Sequence, residues 1–301
     1  MDAKLAMKQM ARKILPEHTY RRLVKFRESI GTRPADPTEH LREAIEKQML
    51  SDESLLELKS NIEIKRRLDY ERHEIYLHIE SLTEFETRLH SCAKEPDTVE
   101  WIETSMKAGD TFYDVGANVG AYSLIAAKAF DGHVKVFAFE PAFLNFTQLC
   151  RNVVLNQCQD SVTPLSVALS DKTSLDSFNY HDLTPGGSLH TLGEAIDYKG
   201  DRFEPVLRQP VLSFTTDHLI TQFSLPVPTH IKIDVDGIES SVLKGADRTL
   251  SDSMLRSIVV ELEAGNSERQ ISDFLSQKGF RLEARHARLT PRMFNCIFVR
   301  V

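Results

Sequence analysis

The sequence predicts an α/β protein: a doubly wound, seven-stranded, mostly parallel sheet preceded by a helical N-terminal extension. Three observations carry this. From Gly109 onward, short β-branched and aromatic runs alternate with segments of helical period. Two of those runs end in an acid followed by Gly or Pro, as strands do where they turn into helices. Before residue 60 the apolar spacing is helical instead, broken at Pro16 and across the Gly31-to-Pro37 stretch.

In the extension, Ala3, Met7, Met10 and Ile14 recur at helical spacing, with Lys4, Lys8 and Arg12 on another face. A second helical run, 39–59, carries Leu41, Ile45, Met49, Leu55 and Leu56. Residues 61–108 lead into the core. Ile62, Ile64 and Leu68 precede a polar turn, and Ile75, Leu77 and Ile79 alternate with Tyr76, His78 and Glu80, which predicts a strand pair. Thr83 and Glu86 form a capping box, and Asp97 or Thr98 caps a helix bearing Val99, Trp101 and Ile102. Residues 109–301 are the main domain. Strands are expected at 111–115, 134–139, 162–168, 230–234, 257–262, 280–284 and 295–300, and helices at 119–130, 143–156, 238–249 and 267–278. The last two strands should pair antiparallel at the end of the sheet. The 171–229 stretch is too long for a plain crossover and is expected to hold an excursion near the site, including Thr184-Pro185-Gly186-Gly187-Ser188.

Composition excludes several classes. At 41% hydrophobic residues the chain can build an ordinary core. Four scattered cysteines without a C-x-x-C pair predict reduced structural thiols rather than a disulfide or zinc framework. There is no apolar run long enough to span a bilayer and no secretory h-region, so a cytoplasmic location is expected. Net charge is −7, yet residues 1–35 hold nine Lys or Arg against three Asp or Glu, leaving an acidic body. That body argues against nucleic-acid binding. The basic arm has two readings: a solvated helix packing on the main domain or on a second subunit, hence a homo-oligomer, or a peripheral contact with an anionic inner-membrane surface.

The chemistry concentrates in three segments. Asp114-Val115-Gly116-Ala117-Asn118-Val119-Gly120 follows a strand and opens a helix. Gly116 permits a tight turn and Gly120 a close approach of helix and strand. Asn118 stands where a dinucleotide fingerprint has its second glycine, and Asp114 repels phosphates while attracting an ammonium or sulfonium. Both favour a ligand without phosphates. Glu140, ending the next strand 24 residues after Gly116, is placed to bind both ribose hydroxyls of an adenosine. The third segment, His230 to Glu239, ends a strand in acids. Strand parity puts Lys232 and Asp234 on one side, where Lys232 is expected to pair with a buried carboxylate. Asp234, Asp236 and Glu239 have the composition of a hard-cation site, but acids at a helix start more often cap it, so no metal is expected.

Together these segments resemble the FkbM family of S-adenosylmethionine-dependent methyltransferases. Phe112 to Gly120 looks like its motif I, and Phe139-Glu140-Pro141 with Asn152 and Asn156 like its second block. Ala168-Leu169-Ser170-Asp171, Ile231 to Gly237 and Val242 to Ala246 look like the later ones. The family usually has Glu where Asp236 stands. The resemblance covers about residues 90–301, including Lys94-Glu95-Pro96. It implies a class I methyltransferase fold of Rossmann-like type, S-adenosyl-L-methionine as cofactor, and O-methylation of a sugar, glycolipid or other small molecule. By motif, Asp114, Gly116, Ala117, Asn118 and Gly120 would surround the methionine part of the donor and Glu140 would hold the ribose. Ala168, Leu169 and Asp171 would border the adenine, and Asp234 would lie near the transferred methyl.

An alcohol acceptor must lose a proton, and Asp234, His190, Glu239 and His181 are the candidate bases. Two other classes stay open on sequence: an NAD-dependent oxidoreductase on a Rossmann fold, against which Asn118 and Asp114 count, and a non-catalytic interaction module using the helical arm.

Overall fold

The computed structural model describes residues 42, 44–47, 49–197, 200–288 and 292–301. The expectations placed on residues 1–41 lie outside that set. The chain divides into two compact units, Met1–Ile64 and Lys65–Val301. In the first, helix α1 (Asp52–Asn61) starts at Ser51, whose hydroxyl accepts from the Ser54 N–H, with Asp52 and Glu53 in the first turn and Lys59 in the last.

The second unit opens with an antiparallel pair, β1 (Lys65–Arg67) and β2 (Tyr76–His78). Helices α2 (Leu82–Glu86), α3 (Ser91–Lys94) and α4 (Pro96–Ser105) follow. Two start signals differ from expectation. The capping box is Ser81 with Glu84, two residues earlier than Thr83 with Glu86, because the Ser81 hydroxyl and the Glu84 carboxylate satisfy each other's backbone N–H. Pro96 takes the first position of α4, where its missing N–H costs nothing, so neither Asp97 nor Thr98 is the cap.

The main sheet contains β3 (Thr111–Val115), β4 (Lys135–Phe139), β5 (Val162–Leu165), β10 (His230–Ile233), β11 (Ser257–Glu263), β12 (Phe280–Ala287) and β13 (Met293–Arg300). Its order is β12-β13-β11-β10-β3-β4-β5. Within this sheet β3, β4, β5, β10 and β11 run parallel. The last strand, β13, slots antiparallel between β11 and β12. The antiparallel pair at the sheet's end is therefore present, with the final strand on its inner side. The third expected run, 162–168, is shorter than predicted, since β5 ends at Leu165. Pro164 is tolerated because β5 is an edge. Ala168–Leu169 (β6) crosses instead to a second sheet, ordered β6-β9-β7-β8 with β7 (Ser174–Tyr180), β8 (Thr191–Leu192) and β9 (Leu207–Phe214). This sheet, with helix α7 (Thr216–Phe223), is the excursion expected between 171 and 229.

Helices cover both faces. Phe112, Val136 and Val259 face α4 and α5 (Ala121–Ala129), packing on Trp101, Leu124 and Ile125. Their neighbours Tyr113, Ile231, Ile233, Ile258 and Val260 face α8 (Glu239–Lys244) and α9 (Asn266–Gln277). Each such side chain, fully buried, contributes roughly 1.5–3 kcal/mol. Helix α8 stops well short of residue 249 because Gly245 is pressed against the next layer: a Cβ there would lie 1.9 Å from the Ser170 carbonyl oxygen. The strand order reverses between β3 and β10, and the crevice outside the carboxyl ends at such a reversal is where open α/β sheets bind ligands.

Candidate active site

At that reversal β3 runs into the turn Gly116–Gly120. Gly116 has φ +83°, and a Cβ on it would sit 1.9 Å from the backbone oxygen of Asp234. Only glycine lets the turn lie against the end of β10, where the Asp234 N–H donates to the Val115 carbonyl at 3.0 Å. Glu140, at the end of β4, buckles the turn from the other side. Its Oε2 accepts from the Asn118 N–H at 2.7 Å and its Oε1 from the Ala142 N–H at 2.8 Å. Burial nevertheless pushes this carboxyl up to about 7, outweighing those two bonds.

Under the turn, Asp114 is wholly buried. Its Oδ2 accepts from Ser123 Oγ at 2.6 Å, and burial raises its pKa above the usual carboxylate range. Its Oδ1, like Oδ1 of Asn118, is buried with no hydrogen-bond partner among the described residues. Leaving such an acceptor unmet costs about 1–3 kcal/mol. Two orphaned oxygens beside one glycine turn form a socket for a ligand that brings its own N–H donors.

A strap crosses this socket. The Gly187 carbonyl accepts from Asn118 Nδ2 (2.8 Å) and Asn145 Nδ2 (3.1 Å). Asn145 Oδ1 takes the Gly186 N–H, Arg88 donates twice to the Gly186 carbonyl, and Ser81 Oγ donates to the Pro185 carbonyl. The Leu189 N–H donates to Asp236 Oδ2 at 2.7 Å. Helix α6 (Phe143–Leu155) supplies Asn145 from a polar stripe, Asn145, Gln148, Asn152 and Asn156, all buried at helical spacing. The cleft so framed is lined by Gly116, Asn118, Glu140, Asn145 and Asp234.

The far wall is the end of β10. Lys232 is buried and its Nζ bonds Asp234 Oδ2 at 3.0 Å, also lying 4.9 Å from the Tyr122 ring centre. Burial alone would discharge Lys232, but Asp234, Glu95 and Asp114 hold it above the ordinary lysine range. Burial likewise opposes the charge on Asp234, but Lys232 and Lys94 outweigh it and keep that carboxyl well below its usual range. The network continues outward: Arg288 Nη2 donates to Glu95 Oε1 (2.6 Å), its Nε to Glu261 Oε1 (2.8 Å), and Asn295 Nδ2 to Thr98 Oγ1 (3.1 Å). Removing one partner of a buried ion pair costs about 3–5 kcal/mol. Arg288→Met should lower unfolding stability by about that much in urea melts; a loss below about 1 kcal/mol would show that the network is solvent-screened.

The structure brings Gly116, Asn118, Glu140, Ala168, Leu169, His190 and Asp234 to one cleft, together with Asn145 and Asp236. Asp114 does not line the cleft; it is wholly buried near the end of β3, bonded to Ser123. Ala117 and Gly120 face inward, the latter against Leu149, and Asp171 is exposed beside Ser170. The three acids do not converge on a cation: Asp236 holds the Leu189 N–H, Glu239 the Gly237 N–H and Asp234 Lys232. As bases, two candidates are poorly set. The lysine partner keeps Asp234 ionised and weakly basic. Burial drives the His190 imidazole down to about 4, and its Nδ1 already accepts the His181 N–H at 3.2 Å. His181 points into solvent beside Asp182. Asn145 was legible only through the polar stripe of α6, since an isolated Asn near a helix start reads as solvated.

A parallel five-strand run closed by an inserted antiparallel strand, with a glycine turn at the β3/β10 reversal and a strand-terminal acid beside it, is the Rossmann-like architecture of a class I methyltransferase. Comparison with known proteins agrees: residues 114–282 match the family described as Methyltransferase FkbM domain, and the chain belongs to that family. It is 29% identical to Methyltransferase sdnD of Sordaria araneosa, covering 62% of this chain and 80% of that one. It is 25% identical to Hexuronic acid methyltransferase AglP of Haloferax volcanii over 63% of this chain and 71% of that one. With 31-O-demethyl-FK506 methyltransferase FkbM of Streptomyces tacrolimicus it shares 28% identity, over 47% of this chain and 61% of that relative.

Among the described residues no helix is long and apolar enough to cross a membrane.

Proposed function

We propose that the protein transfers a methyl group from S-adenosylmethionine to an oxygen of a sugar, a glycolipid or another small hydroxylated molecule. The observation that carries this is the socket with two unmatched buried oxygens, Asp114 Oδ1 and Asn118 Oδ1, under a turn that Glu140 ties down. An α-ammonium group matches those acceptors, whereas a pyrophosphate would meet Asp114 and the Asn118 side chain. The residues present therefore fit the donor: Asp114, Gly116 and Asn118 would hold its amino-acid end, Glu140 its ribose, and Ala168, Leu169 and Phe178 its adenine. When bound, the donor supplies an electrophilic methyl on a positively charged sulfur. The protein's part is then to orient the acceptor in line and exclude water. Names carried by relatives, one a hexuronic acid methyltransferase and one acting on a 31-O-demethyl compound, support an oxygen acceptor of this class.

The test is transfer of labelled methyl to hexuronic acids, neutral sugars and glycolipids, with the product's alkali stability separating ether from ester. Label on nitrogen or carbon would overturn the oxygen reading.

A pH dependence follows from Glu140. Its carboxyl sits near 7, so it is largely protonated below that pH, and a neutral carboxyl accepts less strongly from ribose hydroxyls. S-adenosylhomocysteine affinity should fall as pH drops from 8 to 6, by roughly fivefold to tenfold. In Glu140→Gln that slope should flatten. An equal slope in both proteins would assign it to another group.

A further inference from the structure

Asp234 is not the only carboxylate at the active edge of the sheet. The register pairs Ile233 with Val260, so Asp234 lies beside Glu261 at the next position, one strand spacing of about 4.8 Å away. Alternation puts Lys232, Asp234 and Glu261 on the face covered by α4 and α5. Glu261 is there held by one side only. Its Oε1 accepts from Arg288 Nε at 2.8 Å, and its Oε2 has no partner among the described residues. The side chain is 16% exposed, against 2% for Glu95 and 5% for Arg288, which lie beneath it in the same network.

We propose that Glu261 is the proton acceptor for the hydroxyl being methylated, with Arg288 as the positioning residue that fixes its carboxylate beside Asp234. The inference rests on the methyl-transfer reading above. Asp234 borders the donor cleft and, paired with Lys232, keeps its charge. Glu261 stands one strand further along the sheet from the donor cleft, on the same face as Asp234. In the step, the acceptor oxygen bonds to the methyl carbon as the carbon–sulfur bond breaks. The bonding pair leaves with sulfur, which becomes neutral, and the acceptor's proton goes to Glu261 Oε2.

The groups facing Glu261 support the assignment. Burial and the Asp234 charge raise its carboxyl to about 8, with Glu95 adding to the push and Arg288 opposing it. Lys94 stands 3.7 Å from Glu95, Lys232 is committed to Asp234, and Tyr122 from α5 lies over Lys232. Two neighbouring carboxyls whose surroundings drive them apart in this way divide the labour of fixed charge and proton acceptor.

The experiment uses the full chain, wild type, Glu261→Gln and Glu261→Asp, with S-adenosylhomocysteine for binding and S-adenosylmethionine plus a methyl hexuronoside for turnover. The expected result is unchanged S-adenosylhomocysteine affinity in all three. Turnover should fall about 100-fold or more in Glu261→Gln and partly recover in Glu261→Asp. Wild-type kcat should rise with pH through about 8, and that rise should vanish in Glu261→Gln. Turnover of Glu261→Gln within threefold of wild type, with the rise intact, overturns the assignment while leaving methyl transfer standing. Wild type that fails to bind S-adenosylhomocysteine overturns the donor reading itself. The Glu261 carboxyl resonance, identified in carbon-13 spectra by its loss in Glu261→Gln, decides independently of any acceptor. A midpoint below 6 in the S-adenosylhomocysteine complex refutes the role and one near 8 supports it.

Discussion

Gly116→Ala should abolish donor binding and destabilise the fold. The added Cβ would fall 1.9 Å from the Asp234 carbonyl oxygen, a backbone atom that cannot rotate away. The turn must therefore lift or the ends of β3 and β10 must part. Alanine at φ +83° adds about 1–3 kcal/mol of backbone strain, and overpacking against β10 about 1–3 kcal/mol more. At roughly 2–4 °C per kcal/mol for a unit of this size, Tm should drop on the order of 10 °C. S-adenosylhomocysteine affinity should fall at least about 100-fold, because the same displacement moves Asn118 off Glu140 and opens the socket. A variant that keeps both its Tm and its affinity would show that the turn is loose and that the contact with Asp234 does not define the site.

The second large effect is expected at Asp234. Asp234→Ala removes the nearest partner of Lys232, a buried ammonium, and should cost about 3–5 kcal/mol in stability as well as methyl transfer. Asp234→Asn separates the two consequences, since it keeps shape and a hydrogen-bond acceptor while losing the charge. If Asp234 faces the sulfonium, the substitution weakens S-adenosylmethionine, whose sulfur is positive, more than S-adenosylhomocysteine, whose sulfur is neutral. The ratio of the two affinities should shift by about tenfold, and turnover should fall by about 100-fold. Equal weakening of both ligands would place Asp234 in scaffold support alone.

Much of this site could be seen in the chain. Strand positions follow from β-branched runs that are buried on both faces, and such runs carry a strong signal wherever a sheet is sandwiched between helices. Gly116 and Glu140 are legible because their roles depend on residue type at a fixed distance from a strand end. Lys232 is legible because a strand-interior lysine requires a partner, and parity names Asp234. What stays hidden is whatever depends on contacts between distant segments. The second sheet is built from strands as short as two residues, Ala168–Leu169 and Thr191–Leu192, too brief for any period to show. The strap is held by Arg88, Asn118 and Asn145, which lie 42 or more residues from the carbonyls they bind. Glu261 gives no local sign either. It sits within the run Val259-Val260-Glu261-Leu262-Glu263 and reads as an outward-facing strand acid until the register sets it beside Asp234. His190 reads from sequence as a candidate base, but the rings of Phe178 and Tyr180 pack against it, one edge-on and one tilted.

On the proposed function, Asp114, Gly116, Asn118 and Glu140 form a pocket for the methyl donor. Isothermal titration of the full chain with S-adenosylhomocysteine, for wild type and Glu140→Ala, tests it most directly. Wild type is expected to bind with micromolar affinity and the variant to lose about 10- to 100-fold, since charge-assisted bonds to the ribose contribute about 1.5–3 kcal/mol. No binding by wild type, or equal binding by both proteins, would contradict it.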